Sequence, residues 1–285
     1  MALPTPKENT AALVTGSSSG IGADIARELA ARGHGLILVA RREDRLRELA
    51  DSLARTHDVR AEVIAADLAD AESRRALPAE IERRGLTVDI LVNNAGFTAM
   101  GAVYKANREA ELGMVHINVE AVVDLCTLFV AGMVTRHRGA ILNTASTAAY
   151  QPVPGQAVYA ATKSFVLSYG HAMGVELKGT GVTVTTLCPG PVATGFAEVA
   201  GLSDEEAAAS LPRFMWIPAE QVAKAAVEGM AAGRAVVIPG APNKAGALFA
   251  YLTPRSVLLP FLARRHPVLQ DGPLPTGSGS ERSPR

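Results

Sequence analysis

Thr15-Gly16-Ser17-Ser18-Ser19-Gly20-Ile21-Gly22 closes the apolar run Ala11–Thr15 and leads directly into a helical pattern, Ile21–Arg32. The glycines are spaced G-x-x-x-G-x-G. A chain leaving a strand this way must turn tightly, let its backbone approach a ligand, and aim a helix N-terminus at it. Those are the requirements of a pyrophosphate site. The three serines add hydroxyl donors. A Gly/Ser turn alone is equally an ordinary tight turn; its place between the first strand and the first helix makes it a phosphate loop. Gly16, Ser18, Ser19, Gly20, Ile21 and Gly22 are its candidate contacts.

Outward from this turn, short β-rich runs alternate with longer helical stretches. The runs are Ala11–Thr15, Leu36–Ala40, Val59–Ala65, Ile90–Val92, Ala140–Thr144, Val182–Leu187 and Ala235–Ile238. Several are apolar almost throughout, as strands covered on both faces are. Helices are expected over Ile21–Arg32, Arg42–Thr56, Ala71–Arg84, Ala106–Thr135, Val158–Leu177 and Ala219–Ala232, with Gly33, Gly85, Gly139 and Gly179 at helix ends. Strand–helix–strand repetition implies right-handed crossovers and an α/β, doubly wound sheet of about seven parallel strands. The chain divides into an N-terminal arm (1–8), one catalytic domain (9–240), a helical extension (241–271) and a disordered tail (272–285).

Composition excludes several classes. Twenty-eight basic residues balance 28 acidic ones, so the chain lacks the basic excess of a nucleic-acid binder. Cys126 and Cys188 have no metal-ligand spacing and read as buried thiols; no metal site is expected. The N-terminus MALPTPKENT has no signal-peptide core, and no stretch reaches the roughly 18 consecutive apolar residues of a membrane span. The expected location is cytoplasmic.

A dinucleotide site usually carries a carboxylate at the end of its second strand, bonded to the adenosine ribose. Here Leu36–Ala40 runs into Arg41-Arg42, while Glu43 and Asp44 come later, on the helix. Two guanidiniums at a helix start are poorly placed as mere solvated charges, because the dipole is positive there. They suit a 2′-phosphate, so NADP(H) is expected over NAD. Asp67 and Leu68, after the third strand, face the adenine; Asp67 is equally placed to cap the next helix. Asn94, Ala95 and Gly96, after the fourth, leave room for adenosine across the strand tips, and the asparagines here can also stitch strands together.

Tyr159 and Lys163 lie four apart on a helix and share a face. A free phenol titrates near 10, too high for efficient acid–base work at neutral pH, and a nearby ammonium lowers it. Ser146, at the C-terminal end of the fifth strand, lies where open α/β sheets bind ligands. Gly16-x-x-x-Gly20-Ile21-Gly22, Asn93-Asn94-Ala95-Gly96, Ser146, Tyr159-x-x-x-Lys163 and Pro189-Gly190 stand in the order and spacing of the classical short-chain dehydrogenase/reductase (SDR) family, which the chain resembles over about residues 9–240. The resemblance implies a Rossmann-type fold and an NADP(H)-dependent carbonyl reductase or alcohol dehydrogenase acting on a small molecule. It implies that Ser146 orients the carbonyl, Tyr159 gives the proton, and Lys163 binds the nicotinamide ribose. Asn118 would anchor a water-linked relay. Pro189, Gly190 and Val192 would meet the nicotinamide, with Thr194 bonded to its carboxamide. A homodimer or homotetramer built on the two long helices is also implied.

An NADP(H)-binding redox sensor without turnover is the alternative, but its mark would be a broken Ser/Tyr/Lys set, and this set is complete. An isomerase or dehydratase on the same fold would leave the nicotinamide unchanged. Phe97, Gln151, Val153, Phe196, Phe214, Met215 and Trp216 are candidates for an apolar substrate pocket or for plain core. The extension after Gly240 reads as a helix pair packed on its own domain or a partner subunit, or as a surface helix touching membrane or closing over a greasy substrate.

Overall fold

The computed structural model describes residues 3–192 and 213–265. Its elements in chain order are β1 (Thr10–Thr15), α1 (Gly20–Ala30), β2 (Gly35–Ala40), α2 (Glu43–His57), β3 (Ala61–Ala65), α3 (Ala71–Arg83) and β4 (Thr87–Asn93). Then come α4 (Arg108–Val115), α5 (Ala121–Thr135), β5 (Gly139–Thr144), α6 (Ala157–Glu176), β6 (Val182–Leu187), α7 (Ala219–Ala231), β7 (Val236–Val237), α8 (Ala241–Leu252) and α9 (Arg255–Arg265).

Side chains alternate across each strand, and here both faces are apolar. In β1, Ala12 and Val14 pack with Ile25 and Leu29 of α1 and with Val222, Ala226 and Met230 of α7. Their neighbours Ala11 and Leu13 point the other way, toward Leu77 and Ile81 of α3, Leu125 of α5 and Val166 of α6. Each such leucine or isoleucine contributes about 1.5–3 kcal/mol by leaving water. The sheet has seven parallel strands in the order β3-β2-β1-β4-β5-β6-β7, the Rossmann-type arrangement expected. Its strand order reverses between β1 and β4, and the crevice above their C-terminal ends is where such sheets receive ligands.

Three details differ from the sequence expectations. β4 begins at Thr87, three residues before the apolar run, because Asp89 is paired with Arg138 at 2.5 Å and so tolerates burial. The expected helix 106–135 begins at Arg108 and runs on through a π turn at His116–Glu120, which marks α4 off from α5. Gly139 opens β5 instead of ending a helix; the left-handed residue there is His137, at φ 50°. Gly33, Gly85 and Gly179 do take positive φ.

Arg108–Thr135 is also long and apolar enough, by length and composition, to cross a membrane. It instead packs on α3, β4, β5 and α6. Its Asp124 and Glu120 bond the buried Arg74 of α3 at 2.6 and 2.5 Å, as an interior helix of a globular layer would. Thr194, Phe196 and the tail 272–285 lie outside the described residues.

Candidate active site

The glycine turn is held by backbone. Gly16 takes φ +65° and donates its N–H to Val39 O at 2.8 Å. A Cβ on Gly16 would come 2.8 Å from Ala95 Cα, and one on Gly22 would come 2.5 Å from both Asn94 Nδ2 and Gly16 O. Only glycine fits at either place. Ser19 caps α1 without a side-chain bond, and the first turn of α1 holds no acidic residue, so its positive end is left for an anion. Ser17 is buried, and its hydroxyl has no partner among the described residues. The turn therefore fits a pyrophosphate.

The adenosine end follows. Arg42 Nη2 reaches back to Ser18 Oγ at 3.1 Å and Ser19 Oγ at 2.9 Å, while Arg41 is exposed beside it. A guanidinium and two hydroxyls thus share one side of the turn, a donor set that suits a 2′-phosphate. The cap of α3 is Asp70, which accepts from Glu72 N and Ser73 N. Asp67, considered for that role, instead accepts from Ala69 N at 3.0 Å in the preceding turn.

Two residues to which the sequence reading gave no role organise this region. Thr15 Oγ1 donates to Val92 O and accepts from Asn94 N and Ala95 N, at 2.9–3.1 Å, tying β1 to the segment carrying Asn94, Ala95 and Gly96. Arg74 donates to Leu68 O at 2.8 Å and holds the Asp67–Leu68 turn. In sequence Arg74 is one more charge on a polar helix, with no signal of burial. The asparagines do stitch strands: Asn93 Nδ2 donates to Asn143 Oδ1 at 2.9 Å, and Asn94 Nδ2 to Thr15 O at 3.2 Å.

Ser146, Tyr159, Lys163 and Asn118 converge above β5. Ser146 caps the short turn Thr147–Tyr150 by accepting from Ala148 N at 3.1 Å, and it lies close enough to the Tyr159 phenol to pull its pKa down. Lys163 Nζ donates to Thr144 O at 2.9 Å and lies 5.7 Å from the centre of the Tyr159 ring. Burial governs both titrations. It pushes the Tyr159 phenol up to about 12 against the opposing influence of Ser146, and brings Lys163 down to about 8. The lowered phenol pKa expected from the sequence is thus not a property of the chain alone, because desolvation outweighs every favourable contact. Asn118, in the π turn, spends both amide protons on Phe97 O and Thr162 Oγ1, and its Oδ1 accepts from Phe97 N. Its side chain is a brace between the loop after β4 and helix α6.

Pro189 and Gly190 extend from β6 beside Ser146, with Pro189 O accepting from Thr147 N at 2.8 Å. Val192 forms an isolated parallel bridge with Ile217. His116 pairs with Glu120 at 2.7 Å and His171 is exposed, so neither joins the Tyr/Lys/Ser group. Phe214, a pocket candidate, is 70% exposed on its short turn.

Helix α8 packs on the turn that starts at Ser146. Tyr251 meets Tyr150 edge to face at 6.4 Å, and Arg255 Nη2 donates to Tyr150 O at 3.2 Å. The extension therefore lies on its own domain, against the site. The free Cys188 is buried there too, and burial pushes its thiol up to about 12.

Comparisons with known proteins agree with this geometry. The family model for short chain dehydrogenase matches residues 10–204. A protein of Streptomyces coelicolor whose name assigns it as a ketoacyl reductase is 35% identical over 259 residues, covering 86% of this chain and 99% of that one. An NADP-dependent 3-hydroxy acid dehydrogenase of Escherichia coli is 37% identical over 195 residues, covering 68% of this chain and 77% of the relative. The structure of a short-chain dehydrogenase from Sphingobium yanoikuyae in complex with NADPH superposes with a TM-score of 0.73 at 29% identity, over 96% of this chain and 99% of the other. That of a bulky-bulky ketone specific alcohol dehydrogenase from Comamonas testosteroni gives 0.71 at 29%, over 93% and 99%. With its phosphate turn at the switch point and Ser, Tyr and Lys gathered above β5, the chain belongs to the short-chain dehydrogenase family of oxidoreductases.

Proposed function

We propose that the protein interconverts a ketone and a secondary alcohol using NADP(H), on an apolar small-molecule substrate. The observation that carries this reading is the gathering of Ser146, Tyr159 and Lys163 above β5, with Lys163 Nζ bonded to Thr144 O and 5.7 Å from the centre of the Tyr159 ring. The family supplies the oxidoreductase chemistry, and the donor set of Arg42, Ser18 and Ser19 supports NADP(H) as its cofactor.

When bound, NADPH would supply a hydride for the carbonyl carbon. Everything else is done by the chain. Gly16–Gly22 and the start of α1 take the pyrophosphate; Arg41, Arg42 and Ser18 take the 2′-phosphate; Asp67 and Leu68 border the adenine. Ser146 Oγ donates to the substrate oxygen and orients it. Tyr159, a neutral phenol at its raised pKa, holds the proton that the developing alkoxide needs. Lys163, at about 8, is mostly ammonium at neutral pH; it steadies the phenolate left behind and bonds the nicotinamide ribose. Asn118 keeps the loop of Phe97 against α6. Pro189, Gly190 and Val192 border the nicotinamide, and Thr194 is proposed for its carboxamide. In the reverse direction Tyr159 would have to start as phenolate, which burial disfavours, so the resting protonation states suit reduction.

A panel of ketones, followed by loss of NADPH absorbance, tests the reading. Turnover of bulky apolar ketones is expected; no NADPH consumption with any ketone would sink it. We also infer a cytoplasmic homo-oligomer formed through the long helices, because Leu112 and Val115 of α4 and Phe165 and Val175 of α6 leave apolar side chains exposed. Sedimentation of a monomer with full activity would argue against that assembly.

A further inference from the structure

We propose that Asn243, on helix α8, is a positioning residue that sets the Pro189–Gly190 turn, so that the C-terminal extension determines how the nicotinamide end of the cofactor seats. The inference rests on the NADP(H) reading above and goes beyond it by assigning a task to the extension.

Asn243 is 1% exposed. Its Nδ2 donates to Met215 O at 3.0 Å and to Pro239 O at 3.3 Å. Two carbonyl acceptors demand the nitrogen on that side, so the amide has one orientation. Its Oδ1 is buried with no partner among the described residues. The Asn243 side chain occupies the space where a Cβ on Gly190 would stand, colliding with its Cγ, Oδ1 and Nδ2. One buried amide therefore ties the segment just after the last strand (Pro239) to the turn Arg213–Met215 and backs directly onto Gly190. From the other side the same turn is tied to catalytic Ser146 through Thr147 N and Pro189 O.

An apolar core residue would fill the volume without bonding two carbonyls, and a buried amide costs desolvation unless it secures something. What it secures is the distance between α8 and Gly190. Helix α8 is itself held to the Ser146 turn by the Tyr150–Tyr251 contact, and the start of α9 by the Arg255 bond. The seat of the nicotinamide and the Ser146 turn thus share one support, in the helices that follow the usual last strand.

The experiment uses the full chain carrying Asn243→Ala and, separately, Asn243→Leu, which keeps volume but removes the amide. NADPH binding is read from its fluorescence. Binding of 2′,5′-ADP, which engages only the adenosine end, is read by displacement. Both variants are expected to bind NADPH roughly tenfold more weakly, the equivalent of about 1.4 kcal/mol, with 2′,5′-ADP binding unchanged. Leu248→Ala, on the exposed side of the same helix, should change neither. Wild-type NADPH affinity in both Asn243 variants would overturn the proposal. So would equal loss of both ligands, or loss of cooperative melting in both variants, since either makes Asn243 an ordinary folding residue. A wild-type chain that binds no NADPH would instead sink the cofactor reading.

Discussion

At the scale of single residues, the proposed site sets burial against specific contacts. Tyr159 and Lys163 are both driven toward their neutral forms by desolvation, to about 12 and about 8. Tyr159→Phe should lower turnover by roughly 10²–10⁴-fold, the span of a lost general acid, while NADPH titration gives an unchanged Kd. Lys163 loses its proton as pH rises through about 8, so ketone reduction in the wild type should fall on the alkaline side of that value. A flat kcat/KM profile through that range would contradict the role given to the ammonium. Arg42→Ala removes the guanidinium from Ser18 and Ser19 and should raise KM for NADPH roughly tenfold, as loss of a charge-assisted bond does. KM for NADH should barely move; parallel kinetics with the two cofactors would decide it.

At the scale of elements, tight turns at strand ends place the chemistry. A methyl group on Gly22 has nowhere to go between Asn94 Nδ2 and Gly16 O, so Gly22→Ala should abolish NADPH binding and cost about 1–3 kcal/mol in thermal or urea melts. Gly101→Ala meets nothing within 4 Å and should stay within about 0.5 kcal/mol of wild type. The π turn at His116–Glu120 belongs to the same scale. It occurs where Asn118 must reach both Phe97 and Thr162, a demand set by the loop after β4 and by α6. The periodicity of the long helix gives no sign of it, because the residues around it remain helical in pattern.

At the scale of the whole molecule, stability depends on charges far from the site. His34 is buried beside Arg138 and Arg32, and desolvation first, then those cations, brings it from 6.5 down to about 4. Between those values the unfolded chain binds a proton that the folded chain does not, so stability is lost as pH falls through that window. Urea midpoints measured from neutral pH down to about pH 5 should decline in the wild type. In His34→Gln the decline should be shallower; equal slopes would show that other groups govern acid sensitivity.

Glycines, an arginine pair and a Ser/Tyr/Lys set carry their meaning in residue type and order, because each satisfies a local requirement: a turn without a Cβ, a fork for phosphate, an acid beside a cation. The sequence alone therefore determined the alternating α/β layers, and it pointed to the phosphate turn and the proposed catalytic group. The long-range contacts came only from the tertiary structure. Arg74 supports Leu68 by bonding Asp124 and Glu120, which lie about fifty residues away along the chain. Asn243 backs onto Gly190 from a helix that begins after the last strand. Tyr159 is raised instead of lowered because its surroundings exclude water more strongly than any single neighbour compensates. Burial and contact between distant segments depend on how the layers close, and the physical reason they escape a sequence reading is that no local pattern encodes them.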